Sequence, residues 1–89
     1  MKYAAAIQTP IIDQGVVAGW ILRVQAEQDG FTGVEEVTHQ LPVEEHVPLD
    51  QWSSVKLQEL LTKVGSENNM LFKATQKVMD QIAANASAV

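Results

Sequence analysis

The chain has 89 residues, of which 46% are hydrophobic, 19% are charged and none is cysteine. This composition indicates one globular domain with a modest core, and it excludes intrinsic disorder, disulfide bonds and a thiolate metal site. Eleven acids oppose six bases and give a net charge of −5, which argues against binding to nucleic acid through its phosphates.

No apolar run approaches the roughly 20 residues that a membrane-spanning helix needs. The first residues faintly resemble a signal peptide, but Gln8, Thr9 and Pro10 interrupt the apolar stretch before a signal-peptide core is complete. We therefore expect a mature cytoplasmic chain that does not associate with membranes.

The first predicted element is a strand over residues 2–12, in which Tyr3 and Ile7 alternate with small or polar residues. Pro10 lacks an N–H group and therefore belongs at a sheet edge or a bulge. A turn follows, and the central strand over residues 16–27 is rich in β-branched and aromatic residues. Its apolar face consists of Ala18, Trp20, Leu22, Val24 and Ala26.

The dipeptide Asp29-Gly30 is a strong hairpin signal between two alternating segments, and a third strand is predicted over residues 31–41. Two tight turns in succession favour pairing between strands that are neighbours in sequence. The sequence therefore predicts an antiparallel meander in the order 1-2-3 over residues 2–41.

Residues 42–50 are predicted to form a proline-containing linker, of which residues 43–47 are able to pair briefly with a strand edge. A helix is expected to follow with Ser53 as its N-cap and Gly65 just beyond its end. Its predicted apolar stripe consists of Leu57, Leu60, Leu61 and Val64.

A second helix is predicted to begin at Ser66 as N-cap and to end near Ala84. Its predicted buried stripe consists of Leu71, Ala74, Thr75, Val78, Met79 and Ile82. The expected fold class is α+β, with a helical hairpin over residues 53–84 packed on one face of the meander. We expect residues 1–89 to form a single domain.

The cluster that most resembles a metal or acid/base site combines His39, Glu45 and His46. Two histidines seven residues apart across a proline need not converge, whereas zinc requires three or four converging ligands. A small metal-dependent or acid/base enzyme built on these residues is the rival hypothesis. We predict instead that the chain is not an enzyme and uses no cofactor.

Because two helices cover only one face of a sheet, the other face is expected to be exposed and of mixed polarity. Residues 27–50 contain seven acids and no lysine or arginine. Trp52 lies at a helix entrance, where it either staples the helix to the sheet or projects as an anchor. The candidate interaction residues are Val17, Ile21, Arg23, Val34, Glu35, Glu36, Glu44, Glu45 and Trp52.

The outer strands have unpaired backbone groups, which favour a protein partner, either a larger complex or a second copy in a homo-oligomer. Residues 11–20 and 52–60 resemble small uncharacterised proteins encoded by tailed bacteriophages and prophages. The resemblance implies a virion or assembly component, or a modulator of a host protein, located in the virion or the host cytoplasm.

The leading hypothesis is therefore a non-enzymatic protein-binding module. The alternative within this class is an inhibitor whose acidic segment binds a basic surface that normally holds nucleic acid.

Overall fold

The computed structural model describes residues 1–87, so the last two residues of the predicted domain lie outside the described part. Three strands are followed by two short 3₁₀ turns and two helices. The strands are β1 (Lys2–Asp13), β2 (Val16–Gln28) and β3 (Phe31–Gln40). The helices are α1 (Ser54–Glu67) and α2 (Met70–Ser87). The sheet is antiparallel in the order β1-β2-β3, which confirms the predicted α+β arrangement.

Both hairpins close with two-residue turns whose residues all have positive φ. The φ angles are 51° at Gln14 and 81° at Gly15 in the first turn, and 54° at Asp29 and 83° at Gly30 in the second. Two successive positive φ angles match the right-handed twist of the flanking strands, and glycine at the second position adopts them without strain. These local turns fix the register of the meander.

Both helices lie on the same face of the sheet, which is the inner face. The side chains of Trp20, Leu22, Val24 and Ala26 on this face of β2 are buried. The helices contribute Val64, Met70, Ala74 and Val78, all fully buried, to the same core. The α1 helix packs on β1 and β2, whereas α2 packs mainly on β2 and β3. Among the helices of residues 1–87, none is long and apolar enough to cross a membrane.

The closest approach between helix and sheet occurs at Gly33 of β3. A β-carbon added there would overlap the carbonyl oxygen of Ala74 and would lie 3.1 Å from a methyl group of Val78. Only glycine therefore lets the backbone of α2 descend onto the sheet at this point. The sequence pattern does not indicate this contact, because Ala74 and Val78 lie more than forty positions after Gly33.

The predicted start of the first helix is confirmed, but its predicted end is wrong. The Ser53 hydroxyl accepts a hydrogen bond from the Lys56 N–H at 3.1 Å, as an N-cap does. The helix continues through Gly65, and the left-handed residue that ends it is Asn69, with φ of 51°. Asparagine tolerates this conformation, so the chain turns there and the predicted N-cap at Ser66 is also wrong.

The buried face of the second helix agrees only in part with the prediction. Met70, Ala74 and Val78 recur every four residues and are fully buried, whereas Leu71 and Met79 are exposed. The predicted stripe included Leu71 and Met79 in place of Met70, whereas its members Ala74 and Val78 are buried as predicted. The interaction of α2 with the sheet is set by the backbone contact at Gly33, which the helical period alone does not reveal.

The linker pairs with the sheet as predicted for residues 43–47. The N–H of Val17 donates to the carbonyl oxygen of Val47 at 2.9 Å, and the two residues form an isolated antiparallel bridge. The N–H of Leu41 donates to the carbonyl oxygen of Ala18 at 2.9 Å. The linker therefore lies beside the start of β2, on the same side of β2 as β3.

Candidate interaction surface

The outer face of the sheet is the side opposite the helices, and its side chains form rows across the three strands. Three of these rows are Thr9–Ile21–Thr38, Ala6–Arg23–Glu36 and Ala4–Gln25–Val34. The flanking residues on β1 are small, so this part of the face is flat. The predicted interaction residues Ile21, Arg23, Val34 and Glu36 all lie on it, and the structure therefore brings them together.

The charges of the outer face are arranged in pairs of opposite sign. Arg23 of β2 lies opposite Glu36 of β3, and Lys2 of β1 lies opposite Glu27 of β2. Opposite charges at such cross-strand positions attract each other modestly and balance each other's field. The outer face is therefore close to neutral, although the whole chain carries a net charge of −5.

Val17 does not belong to this exposed face, and its predicted place there is wrong. The residue is 0% exposed. The linker covers it through the bridge to Val47, and a register shift between Ile11 and Ile12 disturbs the alternation of faces beside it. A partner has no access to this side chain unless the linker moves.

Trp52 staples the helix to the sheet, which was one of the two predicted alternatives. Its ring meets that of Trp20 edge to face, with ring centroids 5.2 Å apart. The Lys56 ammonium lies 4.3 Å from the centroid of the Trp52 ring, a favourable cation–π geometry. Both indole nitrogens are buried and have no hydrogen-bond partner among the described residues. The Trp52 ring therefore makes its main contacts within the fold, with Trp20 and Lys56.

The free edge of β3 is capped by side chains of α2. The Lys77 ammonium donates to the carbonyl oxygen of Val34 at 2.6 Å and forms an ion pair with Glu35 at 3.3 Å. The side-chain amide of Gln81 donates to the carbonyl oxygen of Thr32 at 2.7 Å. These bonds occupy the acceptors that a further strand would need, and they restrict sheet extension at this edge.

The sequence pattern does not reveal this role of Lys77 and Gln81. Their spacing of four residues does predict that both lie on one side of a helix. Which edge of the sheet that side meets depends on the path of α2, and the spacing carries no information about it.

The acidic stretch does not form one surface. Glu35 is engaged with Lys77, and the remaining acids are exposed. Glu27 and Asp29 lie at the hairpin between β2 and β3, whereas Glu44 and Glu45 follow the far end of β3. Ten residues of strand separate the two groups by about 33 Å at 3.3 Å per residue.

The structure does not assemble the rival catalytic cluster. The Nε2–H group of His46 donates to the carbonyl oxygen of Leu41 at 3.0 Å, so this ring has a structural partner. His39 and Glu45 line an open cleft of about 360 Å³ together with Trp52, and His46 does not line it. Within residues 1–87, no three histidine, cysteine, aspartate or glutamate side chains gather closely enough to hold a metal ion.

No family model, no curated protein and no solved structure matches this chain.

Proposed function

We propose that the protein is a non-enzymatic protein-binding module that docks on a larger assembly through the outer face of its sheet. The observation that carries this proposal is the flat part of the outer face around Ile21 and Arg23. No other element of residues 1–87 covers this surface. Uncovered faces of mixed polarity commonly act as interfaces in small proteins. The balanced charges on this face favour a flat, nearly uncharged protein surface as the partner.

A viral origin fits this function, because the resemblance to small phage proteins implies an assembly component or a modulator of a host protein. The acidic-inhibitor alternative requires one concentrated negative surface. Its acids are spread along the whole of β3, and Glu35 and Glu36 in the middle each lie opposite a base. This dispersal favours docking through the outer face.

The experiment is affinity capture from the native cell with two matched variants. Ile21→Glu introduces a charge at the centre of the outer face, and Val43→Glu introduces the same kind of change in the linker, where Val43 is 80% exposed. We expect the first variant to lose the partner and the second to retain it. Both variants are compared by thermal denaturation, so that a folding defect is not mistaken for lost binding.

Salt dependence separates the proposal from its alternative. Exposed charges are screened within about 8 Å at physiological ionic strength, so an interface built on the acidic groups weakens steeply as salt rises. Docking through a neutral face should survive a wash in high salt. Retention of the partner by Ile21→Glu, or its release by salt alone, would contradict the proposal.

A further inference from the structure

The first strand has an open edge along its N-terminal half. At the opposite edge of the sheet, α2 side chains bond to the carbonyl oxygens of Thr32 and Val34, so the even-numbered residues of β3 direct their main-chain groups away from β2. Main-chain direction alternates along antiparallel strands, and the register carries this alternation across β2 to β1. The main-chain groups that face the open edge are those of Tyr3, Ala5 and Ile7.

This part of β1 lacks the usual protection of a sheet edge. Among residues 1–87, no main-chain group bonds to Tyr3, Ala5 or Ile7 on the open side. Edges are normally protected by charges, prolines, bulges or a covering element. In β1 the register shift after Ile7 and the proline at position 10 protect only the second half, and no charged residue lies between Tyr3 and Ile12.

Apolar side chains flank the open edge on the inner side of the sheet. Tyr3, Leu71 and Phe72 are each more than half exposed. A groove of about 220 Å³ runs between β1 and the side chains of Leu57 and Leu61 on α1. A strand added to β1 would place its own inner side chains in this groove.

The chain also exposes more surface than a compact monomer of its mass. Its accessible surface is 5805 Å², about 600 Å² above the roughly 5,200 Å² typical of a 9.8 kDa monomer. Its radius of gyration is 15.9 Å, compared with about 12 Å for a compact chain of this length. The excess approaches the roughly 800 Å² that each partner buries in a stable interface.

We propose that a second copy of this chain pairs with the β1 edge, so that two three-stranded sheets join into one antiparallel sheet of six strands. The two-fold axis passes beside Ala5, which places Tyr3 opposite Ile7 of the second copy and Ala4 opposite its Ala6. The residues that face the edge then exchange about six main-chain hydrogen bonds.

The same axis brings the two α1 helices side by side. Because α1 packs on both β1 and β2, its axis runs over the gap between these strands. Strands lie about 4.8 Å apart, so the two helices are separated by two strand spacings, or about 10 Å. This distance is within the range at which helices pack. Dimerisation therefore adds helix packing to strand pairing.

The first test is sedimentation equilibrium of the purified chain from micromolar to submillimolar concentrations. We expect a reversible dimer of twice the 9.8 kDa chain mass. Ala5→Pro removes an N–H donor that faces the edge in each copy, and we expect at least an approximately tenfold increase in the dissociation constant. Thr38→Pro is the matched control, since its N–H faces the opposite edge of the sheet, and it should leave the dimer unchanged.

The second test fixes the register and does not depend on a proline variant that folds. The chain contains no cysteine, so Ala4→Cys and Ala6→Cys each introduce a single thiol on the exposed outer face. We expect a mixture of the two variants to form a disulfide between copies, because positions 4 and 6 face each other across the axis. Each variant alone should stay unlinked.

A chain that remains monomeric at every concentration overturns the dimer, as does a dimer that Ala5→Pro leaves unchanged or a mixture that fails to cross-link. The proposed docking function rests on the outer face and not on this edge. If the chain is monomeric and still captures its partner, only the dimer is rejected. If the chain is a dimer and Ile21→Glu captures as much partner as the wild type, only the docking function is rejected.

Discussion

Replacing Gly33 by alanine tests the contact that joins α2 to the sheet. The added methyl group would overlap the carbonyl oxygen of Ala74 and would lie only 2.9 Å from the β-carbon of Lys77. The carbonyl oxygen belongs to the helix backbone and the β-carbon is bonded directly to it, so neither atom can rotate away. Because unbonded carbon atoms prefer separations of about 3.5–4.0 Å, α2 must withdraw from the sheet by roughly 1 Å.

The loss of stability follows from the packing that this withdrawal weakens. Met70, Ala74 and Val78 are buried against the sheet on the same face of α2. Overpacking of this kind costs about 1–3 kcal/mol, and it outweighs the gain of about 0.5–1 kcal/mol from replacing glycine within a strand. We expect a net loss of about 1 kcal/mol, which lowers the Tm by about 4–8 °C in a domain of this size.

The same substitution at Gly65 is the control. This glycine lies within α1, and nothing lies within 4 Å of its added β-carbon. Alanine should therefore stabilise the helix by about 0.5–1 kcal/mol and raise the Tm. Thermal and urea denaturation followed by circular dichroism measure both variants. A Gly33→Ala protein as stable as the wild type would refute the close contact, and a lower Tm for Gly65→Ala would show that the helix ends at this glycine.

Three further substitutions test single contacts. Ser53→Ala should cost about 1 kcal/mol in thermal denaturation because it removes the N-cap, whereas Ser54→Ala should change little. Trp52→Ala should cost about 2 kcal/mol in urea denaturation, since its half-buried ring loses Trp20, and a neutral result would reject the staple. Lys77→Met should cost under about 1 kcal/mol because its side chain is 50% exposed, yet light scattering should detect association through the uncapped β3 edge.

The meander was predictable from sequence because the features that define it are local. Alternation along each strand and the residue pair at each turn lie within a few positions of one another. The φ angles at Asp29 and Gly30 are those that the hairpin signal required. In the β2–β3 pair the register then follows from the turn without a shift, since a two-residue loop leaves little freedom for slippage, whereas two register shifts interrupt the β1–β2 pair.

The helix boundary was not predictable with the same rules. Gly65 and Asn69 are both residues that commonly end a helix, and glycine has the stronger preference. The structure ends α1 at the asparagine pair, where the side chain of Asn68 also donates to the carbonyl oxygen of Val64 at 2.9 Å. Because the helix continues through Gly65, Val64 lies within α1 and is fully buried there.

The outer face was identified correctly where the alternation of β2 is undisturbed, as at Ile21 and Arg23. The prediction from alternation failed at Val17, because the burial of this residue depends on Val47, thirty positions later in the chain. The edge caps from α2 were missed for the same reason, because Lys77 and Val34 meet only after the sheet and the helix have packed. The residues that a sequence pattern misplaces here are those whose neighbours are distant in sequence.

The narrowness of the sheet connects the two proposals. Three strands at about 4.8 Å spacing and ten paired residues at about 3.3 Å give an outer face of roughly 450–500 Å² in projection. This is well below the roughly 800 Å² that one partner contributes to a standard interface. Pairing of two copies through β1 doubles the face and brings it above that size without exposing any new apolar residue. Docking on a large assembly should therefore be stronger for the dimer, and Ala5→Pro should weaken partner capture even though Ala5 does not lie on the outer face.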